Sequence, residues 1–321
     1  MNAETPLAIE ARQLRKCFGD EVCAVEGLDL SVARNSTYAL LGPNGAGKTT
    51  TISMLTTLAE PTSGTASING FDVVREAAQA RRQIGVTFQE MVLDDALTGR
   101  QVLDYHGRLY GMSAADRRAR SGELLELVEL ADAADRRSKS YSGGMKRRLE
   151  LARALMTVPR DLFLDEPTLG LDPQGRAMNW DYIRDLRQRS ELTVLLTTHY
   201  LDEAQQLADR VGIMDRGQLV TEGAPADLVD ALGADTIRVL GAGAVSEVGD
   251  RLSRLSFVQS VSEVEGGLLL GVESSSRHLA EVITSATEGG FTIEDVAVAK
   301  PDLGAVFFKH TGRQLRDEVR S

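Results

Sequence analysis

Apolar and polar positions alternate from Leu7 to Val32, the period of half-buried strands. The chain therefore opens with antiparallel strands, with turns at Gly19-Asp20 and at Gly27. Thr37 to Leu41 reads as a short buried strand. Ile52, Leu55 and Leu58 then fall at helical spacing, and Pro61 closes that helix. Thr65 to Ile68, followed by an Asn69-Gly70 turn, continues the β layer. Arg82 to Phe88, Asp161 to Glu166 and Thr193 to Thr198 read as further strands. Between them, Leu97 to Pro159 is largely helical. Val102, Tyr105, Leu109 and Tyr110 share one face there, and Leu124, Leu127, Val128 and Ala131 share another. A helix from Asp202 to Ala208 and strands near Val211 to Met214 and Gln218 to Val220 close this part.

Around Gly223-Ala224-Pro225 the pattern changes. From Asp235 the order is strand, helix, two strands, helix, strand, with a turn at Gly266-Gly267. That is the order of a split β-α-β, ferredoxin-like unit. A short helix from Asp302 to Lys309 precedes a charged tail, and His278 and His310 read as surface residues. The expected division is a domain over 1–225, with a helical subdomain over about 92–158, and an accessory domain over 226–321.

Composition narrows the class. A chain of 321 residues with 42% hydrophobic positions has ample core for such a division. Its net charge of −11 argues against nucleic acid as a main partner, and against simple electrostatic docking to anionic lipid. No apolar run approaches a membrane span, and Met1 to Pro6 has no signal-like apolar core. Cys17 and Cys23, without Cys or His neighbours at ligand spacing, are expected to be reduced thiols.

Candidate chemistry lies between the first buried strand and the helix after it. Gly42-Pro43-Asn44-Gly45-Ala46-Gly47-Lys48-Thr49-Thr50 fits G-x-x-x-x-G-K-[ST], a phosphate-cradling loop. Glycines let backbone wrap a polyphosphate, and N–H groups at the helix N-terminus point at the anion. Lys48 has the reach for the β- and γ-phosphates, and the Thr49 hydroxyl for Mg²⁺. Other polar residues fall at the C-terminal ends of predicted strands, where open α/β sheets bind ligands. These are Gln89-Glu90, Asp165-Glu166 and His199. Asp165 suits Mg²⁺, and Glu166 suits orienting or deprotonating an attacking water. Phe18, at a strand end, offers a ring for a purine base, although a core phenylalanine has the same pattern. Ser142, before Gly143-Gly144, caps a helix and leaves backbone N–H groups bare.

Taken in order, these motifs resemble ABC-type ATPases over about residues 7 to 225. Gly42 to Thr50 is similar to the family's Walker A, and Leu162 to Asp165 to its Walker B, with Glu166 as the glutamate that follows. Gln89 resembles the Q-loop glutamine, His199 the switch histidine, Asp172 the D-loop aspartate and Phe18 the adenine-stacking aromatic. Ser142-Gly143-Gly144 resembles the signature, with Tyr141 and Met145 where Leu and Gln usually stand. The resemblance implies an α/β P-loop fold with an antiparallel β subdomain and a helical subdomain. It also implies ATP and Mg²⁺ as cofactors, with Thr49, Gln89 and Asp165 at the metal and Glu166, His199 and Gln89 in catalysis. Leu41 to Thr51, Pro167 to Pro173, Thr198 to Leu207 and Val306 to Arg313 further resemble the daunorubicin-resistance branch of multidrug and glycolipid exporters, although acidic residues usually stand where this chain has Gly304-Ala305. That branch implies an ATPase on the cytoplasmic face of the membrane, peripheral to a separate ABC-2 type permease. It also implies a head-to-tail homodimer in which Walker A of one protomer and the signature of the other share each ATP. The alternative is a soluble ABC ATPase without a permease. Such proteins usually carry two cassettes or an inserted coiled coil, and this chain has one cassette and no such insertion. The second domain is expected to pack and dimerise, with ligand sensing as the other reading.

Overall fold

A computed structural model describes residues 6–19, 22–232, 235–264 and 266–313. Asp20 of the expected first turn and the charged end of the chain lie outside the described residues. By contacts the chain divides into two compact units, the first reaching Pro225 and the second starting at Ala226.

In the first unit, β1 (Leu7–Phe18) and β2 (Val22–Ala33) form a long hairpin, followed by β3 (Thr37–Leu41) and α1 (Lys48–Leu55). Next come β4 (Ser63–Ile68), β5 (Phe71–Asp72), α2 (Ala77–Gln83) and β6 (Ile84–Thr87). The helical stretch holds α3 (Gly99–Leu109), α4 (Ala114–Leu127) and α5 (Gly143–Ala154). After it come β7 (Asp161–Asp165), α6 (Pro173–Ser190), β8 (Thr193–Thr198), α7 (Leu201–Leu207), β9 (Arg210–Asp215) and β10 (Gln218–Gly223).

Two sheets organise these elements. One is antiparallel in the order β2-β1-β4-β5. The other has the order β10-β9-β3-β8-β7-β6, parallel except for β10. Every residue of β3, β7 and β8 is buried, as parallel strands covered on both faces must be. Because these strands run the same way, their C-terminal ends share one edge, with Leu41 beside Thr198 and Asp165 beside Thr197. The loops that begin at Gly42, Glu166 and His199 therefore start from one line.

Several local expectations change. Arg82 and Gln83, expected to open a strand, end α2, so that β6 starts at Ile84. Ala131, expected on the face with Leu124 and Val128, is exposed. Gly27 does not end a strand: β2 runs through it, with φ of 66° and a register shift that marks a bulge. The helix after the glycine-rich loop stops at Leu55, because Thr57 turns left-handed at φ 65°, and Leu58 is left 64% exposed. On α3 only Val102 of the expected apolar face is buried, while Tyr105 and Leu109 are 61% and 70% exposed. Cys17 and Cys23 are joined as a disulfide, because the register of β1 and β2 sets them opposite each other.

The second unit contains α8 (Pro225–Asp230), whose first residue belongs to the first unit, then β11 (Asp235–Ala242), α9 (Val245–Leu252), β12 (Val258–Val264), β13 (Gly267–Val272), α10 (Ser275–Glu288), β14 (Thr292–Ala299) and α11 (Leu303–Thr311). Its sheet is antiparallel in the order β12-β13-β11-β14, the ferredoxin-like arrangement. Ile237, Val239, Leu268 and Leu270 of the sheet pack with Val248, Leu252 and Val282 of the helices. Each such side chain stabilises by about 1.5–3 kcal/mol when fully buried. His278 is not a free surface residue: its ring stacks on Phe257 with centroids 3.9 Å apart.

Candidate functional site: a phosphate loop and an acidic strand edge

The loop from Gly42 to Gly47 leaves β3 and enters α1 with two residues in the left-handed region, Gly45 at φ 81° and Gly47 at φ 105°. A Cβ on Gly47 would lie 2.4 Å from the Ala24 carbonyl oxygen, and one on Gly42 would lie 2.3 Å from that of Met214. Glycine is thus required at both positions by close backbone approach. Lys48 is buried, and its Nζ donates to the carbonyl oxygens of Gly42 at 2.7 Å and Pro43 at 3.1 Å. Burial lowers its pKa, opposed by the nearby Glu166 carboxylate. The loop, Lys48, Thr49, Gln89 and Glu166 line a cavity of about 310 Å³, with Ala24 of β2 on one side.

The strand ends supply the acids. Asp165 Oδ1 accepts from Thr49 Oγ1 at 3.1 Å and from Thr197 Oγ1 at 2.5 Å. Burial pushes its carboxyl up, against those two hydrogen bonds. Glu166 follows in the left-handed region at φ 47°. Its backbone N–H donates to the Thr197 carbonyl at 3.2 Å. Its Oε1 lies 3.5 Å from Lys48 Nζ and 3.3 Å from His199 Nδ1, the latter without hydrogen-bond alignment. Burial acts to raise the Glu166 carboxyl, but His199 and Lys48 together outweigh it and hold it below its ordinary value. The carboxylate is thereby held anionic, the protonation state that a proton acceptor needs. Thr49 and Asp165 are adjacent hard oxygen donors, the set that Mg²⁺ selects.

Phe18 does not line this cavity; its ring is 56% exposed at the end of β1, with Lys16 Nζ 5.3 Å from its centroid. Ser142, Gly143, Gly144 and Asp172 are also elsewhere, in a second cavity of about 490 Å³. There Ser142 Oγ accepts from Met145 N–H at 3.3 Å and caps α5, while Asp172 accepts from Gly175 N–H at 2.7 Å and caps α6. A Cβ on Gly143 or Gly144 would meet nothing within 4 Å, so the N-terminus of α5 faces open space. Tyr141 is buried, its hydroxyl donates to the Ala133 carbonyl at 2.7 Å, and Gly99 leaves it room. The tyrosine thus departs from the usual leucine by filling the helical subdomain, not by entering the site.

Some residues around the site have no place in the motifs. Thr197 holds both Asp165 and the Glu166 backbone; a polar residue in the apolar run of β8 was its one signal. Glu203 of α7 is fully buried and accepts from Thr168 Oγ1 at 2.8 Å and Trp180 Nε1 at 3.1 Å. Arg147 and Glu150 form a buried ion pair at 3.1 Å on α5. Their signal was a charge at positions that the helical period groups with Leu151 and Ala154.

A glycine-rich loop between a buried strand and a helix, facing two acids at the neighbouring strand end, defines a P-loop nucleotide-binding ATPase. Comparison with known proteins narrows the class. The family model for ABC transporters matches residues 25–169. The daunorubicin resistance ATP-binding protein DrrA3 of Streptomyces coeruleorubidus is 43% identical over 315 residues, covering 98% of each chain. The linearmycin resistance ATP-binding protein of Bacillus subtilis is 36% identical, covering 96% of this chain and all of that one. Among solved structures, a dimeric ATP-binding cassette in a post-hydrolysis state, bound to ADP and Pi, aligns with a TM-score of 0.61 at 25% identity, over 67% of this chain and 98% of that one. The chain belongs to the ABC transporter family of ATP-binding proteins, and it is an ATPase.

Proposed function

We propose that this chain is the energy-coupling subunit of an exporter that moves a hydrophobic drug, antibiotic or lipid-like molecule. The observation that carries the reading is that the likeness to drug-resistance ATP-binding proteins extends across both units, over 98% of this chain for DrrA3. The ATPase works as a homodimer, on the cytoplasmic face of the membrane, with a separate integral permease. Among the described residues no helix is long and apolar enough to cross a membrane, so passage of cargo falls to that partner.

In the proposed cycle, Gly42 to Thr50 hold the ATP phosphates and Phe18 stacks on the base. Thr49, Asp165 and Gln89 would hold Mg²⁺, which would supply positive charge to neutralise the phosphates. Ser142, Gly143, Gly144 and Asp172 serve the nucleotide of the other protomer, since in their own protomer they line a different cavity from Lys48. Glu166 takes a proton from the attacking water, and His199 orients the γ-phosphate side. Water adds to the γ-phosphorus, the bond to the bridging oxygen breaks, and ADP and phosphate leave.

A groove of about 230 Å³ suits a helix of the permease. It is lined by Leu58, Phe88, His106 and Tyr110, with Arg81 and Arg153 as cations. Exposed Tyr105 and Leu109, and Met91 and Val92 after Gln89, extend the apolar surface. The test is reconstitution with a candidate permease in vesicles. Drug-stimulated ATPase and ATP-dependent drug movement are the expected results. ATPase indifferent to permease and drug would favour a soluble ATPase.

A further inference from the structure

We propose that Arg147 and Glu150 form a yoke through which the nucleotide held by one protomer sets the position of the Ser142 that the same protomer offers to its partner. The proposal rests on the two-protomer reading above.

Arg147 is 5% exposed, and its guanidinium makes five hydrogen bonds. Two go to the segment around Gln89: Nη1 donates to the Phe88 carbonyl at 2.8 Å and Nη2 to that of Gln89 at 3.3 Å. Two go to the segment after β7: Nη2 donates to the Glu166 carbonyl at 2.8 Å and Nε to that of Pro167 at 3.0 Å. The fifth reaches Glu150 Oε2 at 3.1 Å. Glu150 is fully buried, and its Oε1 accepts from the Val92 N–H at 2.9 Å. One turn further along α5, Arg153 donates to the Val92 carbonyl at 3.3 Å.

A buried ion pair seldom stabilises a fold better than apolar residues of the same volume. This pair is spent on backbone groups of two loops instead. One loop carries Gln89 and the other Glu166, both facing the cavity beside Lys48. The helix that carries the pair begins at Ser142, which lines the other cavity. Movement of Gln89 or Glu166 towards a γ-phosphate therefore pulls on the helix whose N-terminus serves the opposite nucleotide. Arginine is required because the bonds diverge within one plane. Lysine keeps the charge but has a single nitrogen.

The test uses the full chain with two variants, Arg147→Lys and the volume-matched pair Arg147→Met with Glu150→Met. The measurements are thermal unfolding, MgATP affinity of the monomer, kcat, and ATP-driven dimer content in a Glu166→Gln background. The expected result is a folded chain whose ATP affinity stays within about twofold of the parent. Its kcat falls at least about tenfold, and the ATP-driven dimer falls with it. Unchanged kcat and dimer content would overturn the proposal. So would ATP affinity falling in step with kcat, which would place the pair in the nucleotide site. If neither variant folded, the pair would belong to folding alone and the proposal would fail. Ser142→Arg, in the same ATPase assay, separates the two levels. If it keeps full turnover, the two-protomer reading fails; if it loses turnover while Arg147→Lys does not, only the yoke fails.

Discussion

Glu166 is the residue on which the proposed chemistry turns. Its neighbours hold it as a carboxylate, so Glu166→Gln removes the proton acceptor and keeps the shape. Turnover should fall by about 10²–10⁴-fold while ATP still binds, and ATP should trap a dimer visible by size-exclusion chromatography. Near-parental turnover would remove Glu166 from the proposed role. At the opposite end of the same strand, Asp161 is buried, and burial pushes its carboxyl up to about 7 against the hydrogen bond it accepts from Asn69. A folded-state pKa above the unfolded one means the folded chain binds the extra proton. This group's contribution to stability is therefore complete below about pH 4 and is lost as pH rises through about 7. Asp161→Asn keeps an acceptor for Asn69 and cannot ionise. Its melting temperature should exceed the parent's by about 5 °C or more at pH 8.5, with a smaller gap at pH 5.5. A gap that does not change with pH would contradict the assignment.

At the scale of elements, some features were legible in the sequence and others were not, for physical reasons. β3, β7 and β8 are buried on both faces, so each carries a continuous apolar stretch, Tyr38 to Leu41, Leu162 to Leu164 and Val194 to Leu196. The loop at Gly42 to Gly47 was legible because its backbone admits only glycine at several points. Helical faces were harder. Periodicity found the stripe Val102, Tyr105, Leu109 and Tyr110, but not whether this chain covers it, and most of it is exposed. The Cys17–Cys23 pairing depends on the register of β1 and β2, which composition does not encode. Arg147 was missed because bonds from a side chain to distant backbone carbonyls leave no spacing in the sequence. The uncovered stripe on α3 leads to a prediction. Tyr105→Asp with Leu109→Asp should leave the ATPase of the isolated chain unchanged and abolish its stimulation by the permease. Stimulation at the parental level would move the docking surface elsewhere.

In the whole molecule, as proposed, one chain holds one half of each of two different nucleotide sites. The cavity beside Lys48 and the cavity beside Ser142 are separate within the protomer. In the proposed cycle ATP would act as an interface ligand whose hydrolysis releases the dimer, a two-state switch biased by the γ-phosphate. Lys48→Ala and Ser142→Arg are each expected to be inactive alone. In the proposed cycle the first would lose a cation facing phosphate, and the second would place a bulky side chain against the γ-phosphate approach. In a mixed dimer one composite site carries both defects and the other carries neither. The most direct measurement is ATPase rate against mixing ratio of these two variants, with dimer content followed in parallel. The account predicts a rate that is near zero for either variant alone and rises to a maximum near equal mixing. A rate that stays at zero across all ratios while mixed dimers form, or a parental rate from Ser142→Arg alone, would contradict it.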